Sequence, residues 1–465
     1  MSEMEFESRM SDADALMWNI EKDPGLRSTI VAVSMLDTSP DRDRLLDKIE
    51  RGTRMIPRLR QRVVGNAFSL APPRWEIDPH FDLGYHVRFV SVGPEGTDRD
   101  VLDMAQLVGM QGFDRARPLW EFLVVDGLPD GRAALVQKIH HAITDGVGGI
   151  KIAMMILDLE RDPEGPEEPM PPAPPVDVLS PSDRTRDALT HIVRRNMGIT
   201  KRLLDNAPSQ VATALTDPAA LVQGAGELVG SLGRMLAPAT EPLSPLMTGR
   251  SLSIRFEQIS MPLADLKAAS KLSGGKLNDG FVAGVAGGFM RYHERNGAPV
   301  EALRMNMPIN VRTADTADVA GNQFAPARFP VPMNIEDPIE RMQIIRELVA
   351  GQRAEPAMGL TETMAGVLNR LPTTATTALF GSMLKGCDFT TSNVPGAPIA
   401  TYIAGAEVTS MVPFGPLAGV AVNVTLVSNI DEVIIGINID TRAVPDHELL
   451  VECFQESFDE IIGLR

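Results

Sequence analysis

The sequence predicts an α/β protein (α+β layered) with two domains, and two observations support this. Strand-like and helix-like segments alternate in both halves of the chain, which is typical of helices packed on sheets. With 465 residues, the chain is also too long for one ordinary hydrophobic core. An apolar fraction of 44% and a charged fraction of 23% are ordinary for globular proteins, so extensive disorder is not expected.

The first predicted domain covers residues 1–160. It opens with a helix capped by Ser11 or Asp12, because small polar residues accept hydrogen bonds from the first turn of a helix. Periodicity then predicts, in order, a strand at 27–36, a helix at 41–56, strand-like chain at 75–92, a helix at 98–113, a hairpin at 121–142 and a helix from Asp145.

Residues 161–250 are predicted to connect the domains. They begin with "DPEGPEEPMPPAPPVDVLSPSD", whose proline and acid content favours an extended linker, and continue as a helical crossover. The second α/β domain covers residues 251–465. Its predicted elements are a strand at 251–262, a helix at 277–297, a strand at 301–312, a hairpin at 421–440 and a C-terminal helix that buries Leu450, Phe454, Phe458 and Ile461.

Charge and cysteine content limit the function classes. A net charge of −17 argues against nucleic acid as a partner, because non-specific binding needs a cationic surface. The two cysteines, Cys387 and Cys453, indicate no disulfide scaffold and fit a cytoplasmic protein. The acidic N-terminus lacks the features of a secretory signal, and no long apolar window predicts a membrane span. Peripheral attachment to the inner membrane or to lipid droplets stays open.

The stretch "KIHHAITDGVGGI", residues 138–150, carries the candidate chemistry. Side chains alternate along a strand, so His140 and His141 would point to opposite faces and not converge on one ion. The other five histidines show no ligand-like spacing, which weakens a metal site as one interpretation of the pair, and no metal ligand is assigned. Two other interpretations are open. Either His141 is a core residue and Asp145 a helix cap, or His141 is a general base at a strand end.

Glycine content bears on this choice. Gly146, Gly148 and Gly149 are poor helix formers, each costing up to about 1 kcal/mol relative to alanine. Glycines at the start of a predicted helix indicate that another group approaches the backbone closely.

The motif HHxxxDG, from His140 and His141 to Asp145 and Gly146, resembles the signature of the coenzyme A-dependent acyltransferase superfamily, which includes chloramphenicol acetyltransferase. Its surroundings are similar to the bacterial wax ester synthase/acyl-CoA:diacylglycerol acyltransferase family. The resemblance spans nearly the whole chain, and the matching segments follow in the expected order. They are "FDLGYHVRFV", "FDRARPLWEFLVVDGL", "LNDGFVAGVAGG", "INVRTADTADVAGNQFAPARFPVP", "TSNVPGAP", "AGAEV", "AVNVTLV" and "DTRAVPD".

The resemblance implies two chloramphenicol-acetyltransferase-like domains with the active-site channel between them. It implies that His141 deprotonates diacylglycerol or a long-chain fatty alcohol, whose oxygen attacks acyl-CoA, with no metal or other cofactor. Asp145 and Gly146, beside His140 in the motif, are expected to shape the site. Candidates for oxyanion stabilisation or substrate binding are Asn278, Ser392 and Asn393, for which a helix cap and a turn are the structural alternatives.

Departures from the family pattern leave the acceptor open. Ala397 follows the glycine of "SNVPG" where the family usually has proline, and "LRSTI" at 26–30 replaces an "MHV"-like element. The alternative functions are an acyltransferase of the same superfamily with another hydroxyl acceptor, such as a polyketide or glycolipid, and a non-catalytic lipid-binding protein.

Two basic stretches have alternative interpretations. The arginine run at 51–62 could bind coenzyme A phosphates or lipid headgroups, or form a solvated face. The amphipathic stretch at 184–204 could lie on a membrane or pack on the domains.

Overall fold

The computed structural model describes residues 7–65, 71–93, 95–143, 157–163, 169–191, 193, 241–310, 324–355, 361–369 and 371–464. Two six-stranded sheets dominate these residues, each covered by helices, together with one small two-stranded sheet. This is the layered α/β architecture that the alternating segments predict.

The first sheet belongs mainly to the N-terminal half and has the strand order β11-β12-β1-β6-β5-β4. Its strands are β1 (Thr29–Leu36), β4 (Val87–Ser91), β5 (Trp120–Asp126), β6 (Ala133–His140), β11 (Tyr402–Ile403) and β12 (Ala406–Phe414). The small sheet pairs β2 (Gln61–Val64) with β3 (Arg74–Ile77). The helices of this half are α1 (Asp12–Ile20), α2 (Arg42–Met55), α3 (Leu83–His86) and α4 (Asp98–Met110).

The second sheet belongs to the C-terminal half and has the order β7-β14-β13-β10-β8-β9. Its strands are β7 (Ile254–Pro262), β8 (Ala302–Asn310), β9 (Phe324–Pro332), β10 (Phe389–Pro395), β13 (Val422–Asn429) and β14 (Glu432–Asp440). Its helices are α5 (Leu263–Leu272), α6 (Leu277–Arg295), α7 (Pro338–Arg353), α8 (Thr361–Leu368), α9 (Thr373–Lys385) and α10 (His447–Ile462).

Several local predictions are confirmed. The Ser11 hydroxyl accepts a hydrogen bond from Asp14 N and caps α1. The two predicted hairpins are the antiparallel pairs β5–β6 and β13–β14. The C-terminal helix α10 buries the four apolar residues that its spacing indicates: Leu450, Phe454, Phe458 and Ile461. The helix predicted from Asp145 starts outside the described residues.

Strands β11 and β12 cross from the C-terminal half into the first sheet, which the sequence did not predict. β12 pairs antiparallel with β1, placing Phe414 opposite Val31. The chain then returns to the second sheet through residues 415–421 and enters β13. The sheet that carries the histidines is therefore completed by a strand from the other half.

Glycines in α6 bring two helices together. A Cβ at Gly288 would lie 2.1 Å from the Phe454 ring, and one at Gly284 would lie 2.3 Å from the Phe458 ring. Both phenylalanines are fully buried on α10. The glycine-rich segment "GFVAGVAGG" thus permits close helix packing in the C-terminal core.

The arginine run is used within the fold. On α2, Arg51 and Arg54 donate to the carbonyls of Pro169 and Pro171. Arg58 is buried and its guanidinium lies over the Trp75 ring, 4.1 Å from the centroid. Residues 169–180 have no regular secondary structure, as their proline content predicts. These three arginines therefore hold the linker and the core, which favours packing over phosphate binding.

The first part of the basic stretch also packs on the fold. Residues 181–191 are helical, and Arg184 donates two hydrogen bonds to the Glu76 carboxylate, at 3.0 and 2.8 Å. Asp187 pairs with Arg9 and with Arg74. This helix is thus attached to the N-terminal half, and residues 194–204 lie outside the described part of the chain.

Candidate active site

The histidine pair lies where the chain leaves the first sheet. β6 ends at His140, which is opposite Thr29 of β1, and residues 141–143 form a turn. The backbone N–H of His141 donates to Ser28 O at 2.8 Å, and that of Ile143 donates to His140 O at 2.9 Å. These bonds anchor the turn to the chain that enters β1. We call residues 140–143 the histidine turn.

His140 is immobilised by contacts on both ring nitrogens. The backbone N–H of Ala142 donates to Nδ1 at 3.0 Å, so the ring proton lies on Nε2 and is donated to Glu21 Oε1 at 2.9 Å. Trp18 and Phe113 meet the ring edge-on, with centroids 5.7 and 6.0 Å away. Because both nitrogens have protein partners, His140 has no lone pair left to accept a proton or bind an ion in this arrangement.

His141 follows in the turn and is half-buried. Its backbone is fixed through Ser28, whereas the strand that holds His140 has already ended. The two histidines therefore differ: the His140 ring is buried and bonded at both nitrogens, and His141 is half-buried. Asp145 and Gly146, the rest of the motif, lie outside the described residues.

Glu21 is a site residue that the sequence analysis missed. It is the residue after α1, its side chain is 9% exposed, and it lies 119 positions from His140. Burial alone would raise the pKa of Glu21, but the hydrogen bonds from the His140 ring and the Ser28 N–H, together with the charge of Arg115, lower it. No local spacing marks this carboxylate, because its partner comes from a distant strand.

A buried ion pair lies on the same face of β6 as His140. Lys138 is fully buried and its Nζ lies 3.2 Å from Glu121 Oε1, while Arg88 pairs with the other carboxylate oxygen. The ammonium also lies 4.3 Å from the centroid of the Phe113 ring. Burial, which is only partly offset by Glu121, lowers the pKa of Lys138. Phe113 thus touches both Lys138 and His140.

The three oxyanion candidates lie in the C-terminal half, where β10 ends and α6 begins. Asn393 Nδ2 donates to Asn278 Oδ1 at 3.4 Å, so the structure brings these two together. Ser392 is half-buried and lies opposite Thr425 of β13. Since strand neighbours point to opposite faces, Ser392 and Asn393 are on different faces of the second sheet.

The face of the second sheet that carries Ser392 looks toward the first sheet and bears a row of polar side chains. Asn423 and Asn438, opposite each other on β13 and β14, are both buried. Their amide groups donate to Pro416 O at 2.8 Å and to Gly415 O at 2.9 Å. These asparagines fix the returning loop between the sheets, and the sequence analysis did not single them out.

A cleft of about 300 Å³ opens between the halves beside this loop. From the N-terminal half it is lined by Thr29, the partner of His140, and by Arg27. From the C-terminal half, Lys385 lines it and forms an ion pair with Asp23 at 2.5 Å. The cleft therefore reaches the strand that supports the histidine turn.

Metal sites and membrane-spanning helices were both considered in the sequence. Within the described ranges, no group of three histidine, cysteine, aspartate or glutamate side chains could hold a metal ion. No helix in the same ranges is long and apolar enough to cross a membrane.

Comparison with protein families gives two matches that together cover most of the chain. A model described as the wax ester synthase/diacylglycerol acyltransferase catalytic domain matches residues 10–281. A model of the WS/DGAT C-terminal domain matches residues 320–462.

Relatives and solved structures agree with these matches. A Mycobacterium tuberculosis protein named as a putative diacylglycerol O-acyltransferase is 40% identical over all of this chain and 94% of its own length. A second one from that organism is 29% identical, covering 98% and 97% of the two chains. The wax ester synthase/diacylglycerol acyltransferase of Marinobacter aquaeolei VT8 superposes with a TM-score of 0.63 at 22% identity, covering 97% and 98%.

A condensation domain of the calcium-dependent antibiotic synthetase superposes with a TM-score of 0.64 at 14% identity, covering 98% and 97% of the two chains. Identities this low show the fold alone, and that fold has two chloramphenicol-acetyltransferase-like domains, as expected.

Proposed function

The chain belongs to the wax ester synthase/diacylglycerol acyltransferase family, and we propose that His141 is the general base of its reaction. The protein is an O-acyltransferase that uses acyl-CoA, with diacylglycerol or a long-chain alcohol as acceptor. The products are triacylglycerol and wax ester. Our proposal covers four points: the role of His141, the oxyanion donors, the preferred acceptor and the place of action.

The observation that carries the assignment of His141 is the locked state of His140. Both nitrogens of His140 have protein partners, and moving a proton onto Nδ1 would break the bond from Ala142 N. His141 is next to it, half-buried, with its backbone fixed by Ser28 O. A histidine with a fixed backbone and partial solvent access suits proton transfer near neutral pH.

The proposed reaction has two balanced steps. His141 takes the proton of the acceptor hydroxyl while its oxygen bonds to the thioester carbonyl carbon. The C–S bond then breaks, the ester is released, and the coenzyme A thiolate receives the proton from the His141 imidazolium. Protein groups bind and orient both substrates, and neither a metal nor a further cofactor takes part. Activity should therefore survive treatment with a chelator.

Oxyanion stabilisation is assigned to Asn278, Ser392 or Asn393. The Asn278 carbonyl accepts from Asn393, so the NH2 group of Asn278 is the group that would donate to an oxyanion. Ser392 is favoured by its position on the face that looks toward the first sheet. Replacing the true donor by alanine should lower kcat by about 10²- to 10³-fold with little change in KM. Single alanine variants at the three positions identify it.

The test of the function is thiol release from palmitoyl-CoA with diolein, hexadecanol or no acceptor, together with identification of the lipid product. Wild type should need an acceptor, and His141→Ala should lose turnover. His80→Ala is the matched control, because His80 is exposed and lies outside the histidine turn. If folded His141→Ala keeps the wild-type rate, the assignment of the base is wrong.

The same assay separates the remaining alternatives. Turnover only with a polyketide or glycolipid hydroxyl would assign another acceptor within the superfamily. Lipid binding without acceptor-dependent thiol release would indicate a non-catalytic protein and contradict the proposal.

The proposed place of action is cytoplasmic, with peripheral contact to the inner membrane or lipid droplets. Both acceptors are lipids, and Leu189 and Val193, spaced by one helical turn, are 51% and 56% exposed. Flotation with phospholipid-coated triolein droplets measures this contact. Replacing both residues by aspartate should reduce the bound fraction, and equal flotation of variant and wild type would refute it.

A further inference from the structure

We propose that Glu21 is a positioning residue that sets the geometry of the histidine turn, an inference that rests on the proposed role of His141. Glu21 lies outside the HHxxxDG motif. It touches His140 and the backbone beside His141, so it acts on the base only through the turn.

One carboxylate oxygen holds both sides of the turn. Glu21 Oε1 accepts from the Ser28 backbone N–H at 2.6 Å and from His140 Nε2 at 2.9 Å. Ser28 O in turn accepts from the backbone N–H of His141 at 2.8 Å. His140 is bonded through Nδ1 to Ala142, on the far side of His141. Glu21 is therefore connected to the residues on both sides of His141.

Helix stability does not explain a carboxylate at this position. Glu21 is the C-cap of α1, where the partial negative charge of the helix end disfavours an anion. Its side chain is also mostly buried, which adds a desolvation cost. Arg115 Nη2, at 3.8 Å from Oε2, offsets part of that cost. The contacts that hold this anion in place are chiefly those to the turn.

Glu21 also links the turn to the C-terminal half. Leu16 and Ile20 of α1 share a core with Ala365 and Leu368 of α8. Asn369 Nδ2, just after α8, donates to Asp12 O at 2.8 Å. The helix that positions Glu21 is thus packed against the opposite half, and the Glu21 side chain connects this helix to the histidine turn.

The experiment compares Glu21→Ala and Glu21→Gln with Glu460→Gln as matched control, in steady-state assays of the full-length protein. Glu460 is a carboxylate of α10 that pairs with Arg341 and Arg291, and it lines neither the histidine turn nor the cleft. Glu21→Ala should lower kcat about 100-fold with KM for acyl-CoA nearly unchanged, because a small displacement of a catalytic group has this effect. Glu21→Gln keeps the accepting oxygen and should lose less, and Glu460→Gln should keep the wild-type kcat.

The pH profile supplies a readout that a purely structural role does not move. Glu21→Gln takes a negative charge away from the turn, so the imidazolium form of the base is less stabilised. The acid limb of kcat/KM should therefore move to lower pH. A wild-type kcat in Glu21→Ala, or an unmoved limb in Glu21→Gln, overturns the proposal. If Glu21→Ala does not fold, the limb of Glu21→Gln decides.

Failure of this inference can be told apart from failure of the proposed function. If His141→Ala is inactive while Glu21→Ala keeps full activity, only the positioning role is wrong. If His141→Ala is active, the base is wrong and the inference loses its premise.

Discussion

Replacing Gly436 by alanine tests how closely the two sheets must approach. Gly436 lies on β14, on the face toward the first sheet, and a Cβ there would be 1.8 Å from Pro413 O and 2.8 Å from Pro413 C. Pro413 belongs to β12, where it is opposite Ala32 of β1. The obstacle is therefore backbone in the middle of a sheet, which has no rotamer to change.

The size of the clash sets the expected magnitude. The gap to Pro413 O is about 1.6 Å short of the 3.4 Å at which ordinary contact begins, so the sheets must separate or bend by a comparable distance. Overpacking of this kind costs about 3 kcal/mol of unfolding free energy, the upper part of the usual range. The shift would also move β1, whose start anchors the histidine turn, so kcat should fall as well.

The assay is urea denaturation followed by circular dichroism, with the transition midpoint compared at constant slope. Gly351→Ala is the control, because a Cβ at that exposed position of α7 meets nothing within 4 Å. It should stabilise the protein by up to about 1 kcal/mol through helix propensity. A Gly436→Ala variant as stable and as active as wild type would refute the reasoning.

Two further predictions concern buried charge and titration. Lys138→Met should lower the unfolding free energy by about 2 kcal/mol. This is less than the loss of one partner costs in an isolated buried ion pair, because Arg88 still pairs with Glu121 in the variant. A urea midpoint equal to that of the wild type would contradict this prediction. Burial lowers the pKa of His86 from 6.5, although its ring bonds Trp120 O. As the pH falls below 6.5, His86 is protonated in the unfolded chain and stays neutral in the folded chain. The free energy of unfolding should therefore decrease as the pH is lowered from 7.5 to 5.5. Urea midpoints at both pH values should differ less for His86→Gln than for wild type, and equal differences would exclude His86 as a source.

The parts of the fold that the sequence could predict are those with local causes. The β5–β6 hairpin follows from two apolar runs around a turn, and α10 follows from apolar residues spaced by helical turns. The location of the histidines near the end of a strand was also predictable, since the predicted hairpin ends at residue 142. Each of these patterns lies within one short segment of the chain, where the backbone preference of the residues and the spacing of the buried positions predict the same element.

The rest depends on contacts between distant segments. Glu21 is 119 positions from His140, and no periodicity or spacing connects them. The crossing of β12 into the first sheet likewise depends on pairing with β1, a distant segment of the chain. The arginine run could be interpreted as a phosphate site because Arg51 and Arg54 donate to backbone carbonyls of the linker, which no side-chain pattern marks in the sequence.

The crossing of β12 bears on how the enzyme works as one unit. β12 pairs antiparallel with β1 along the strand. Phe414, at the end of β12, stacks on Phe256 of β7 with ring centroids 3.9 Å apart. The returning loop is then fixed by Asn423 and Asn438. The halves therefore cannot separate without breaking the sheet that carries the histidine turn. In the proposed reaction the acyl substrate lies between the halves, whose spacing is set by main-chain pairing, so we expect small residues at this junction to control activity more strongly than charges on the surface.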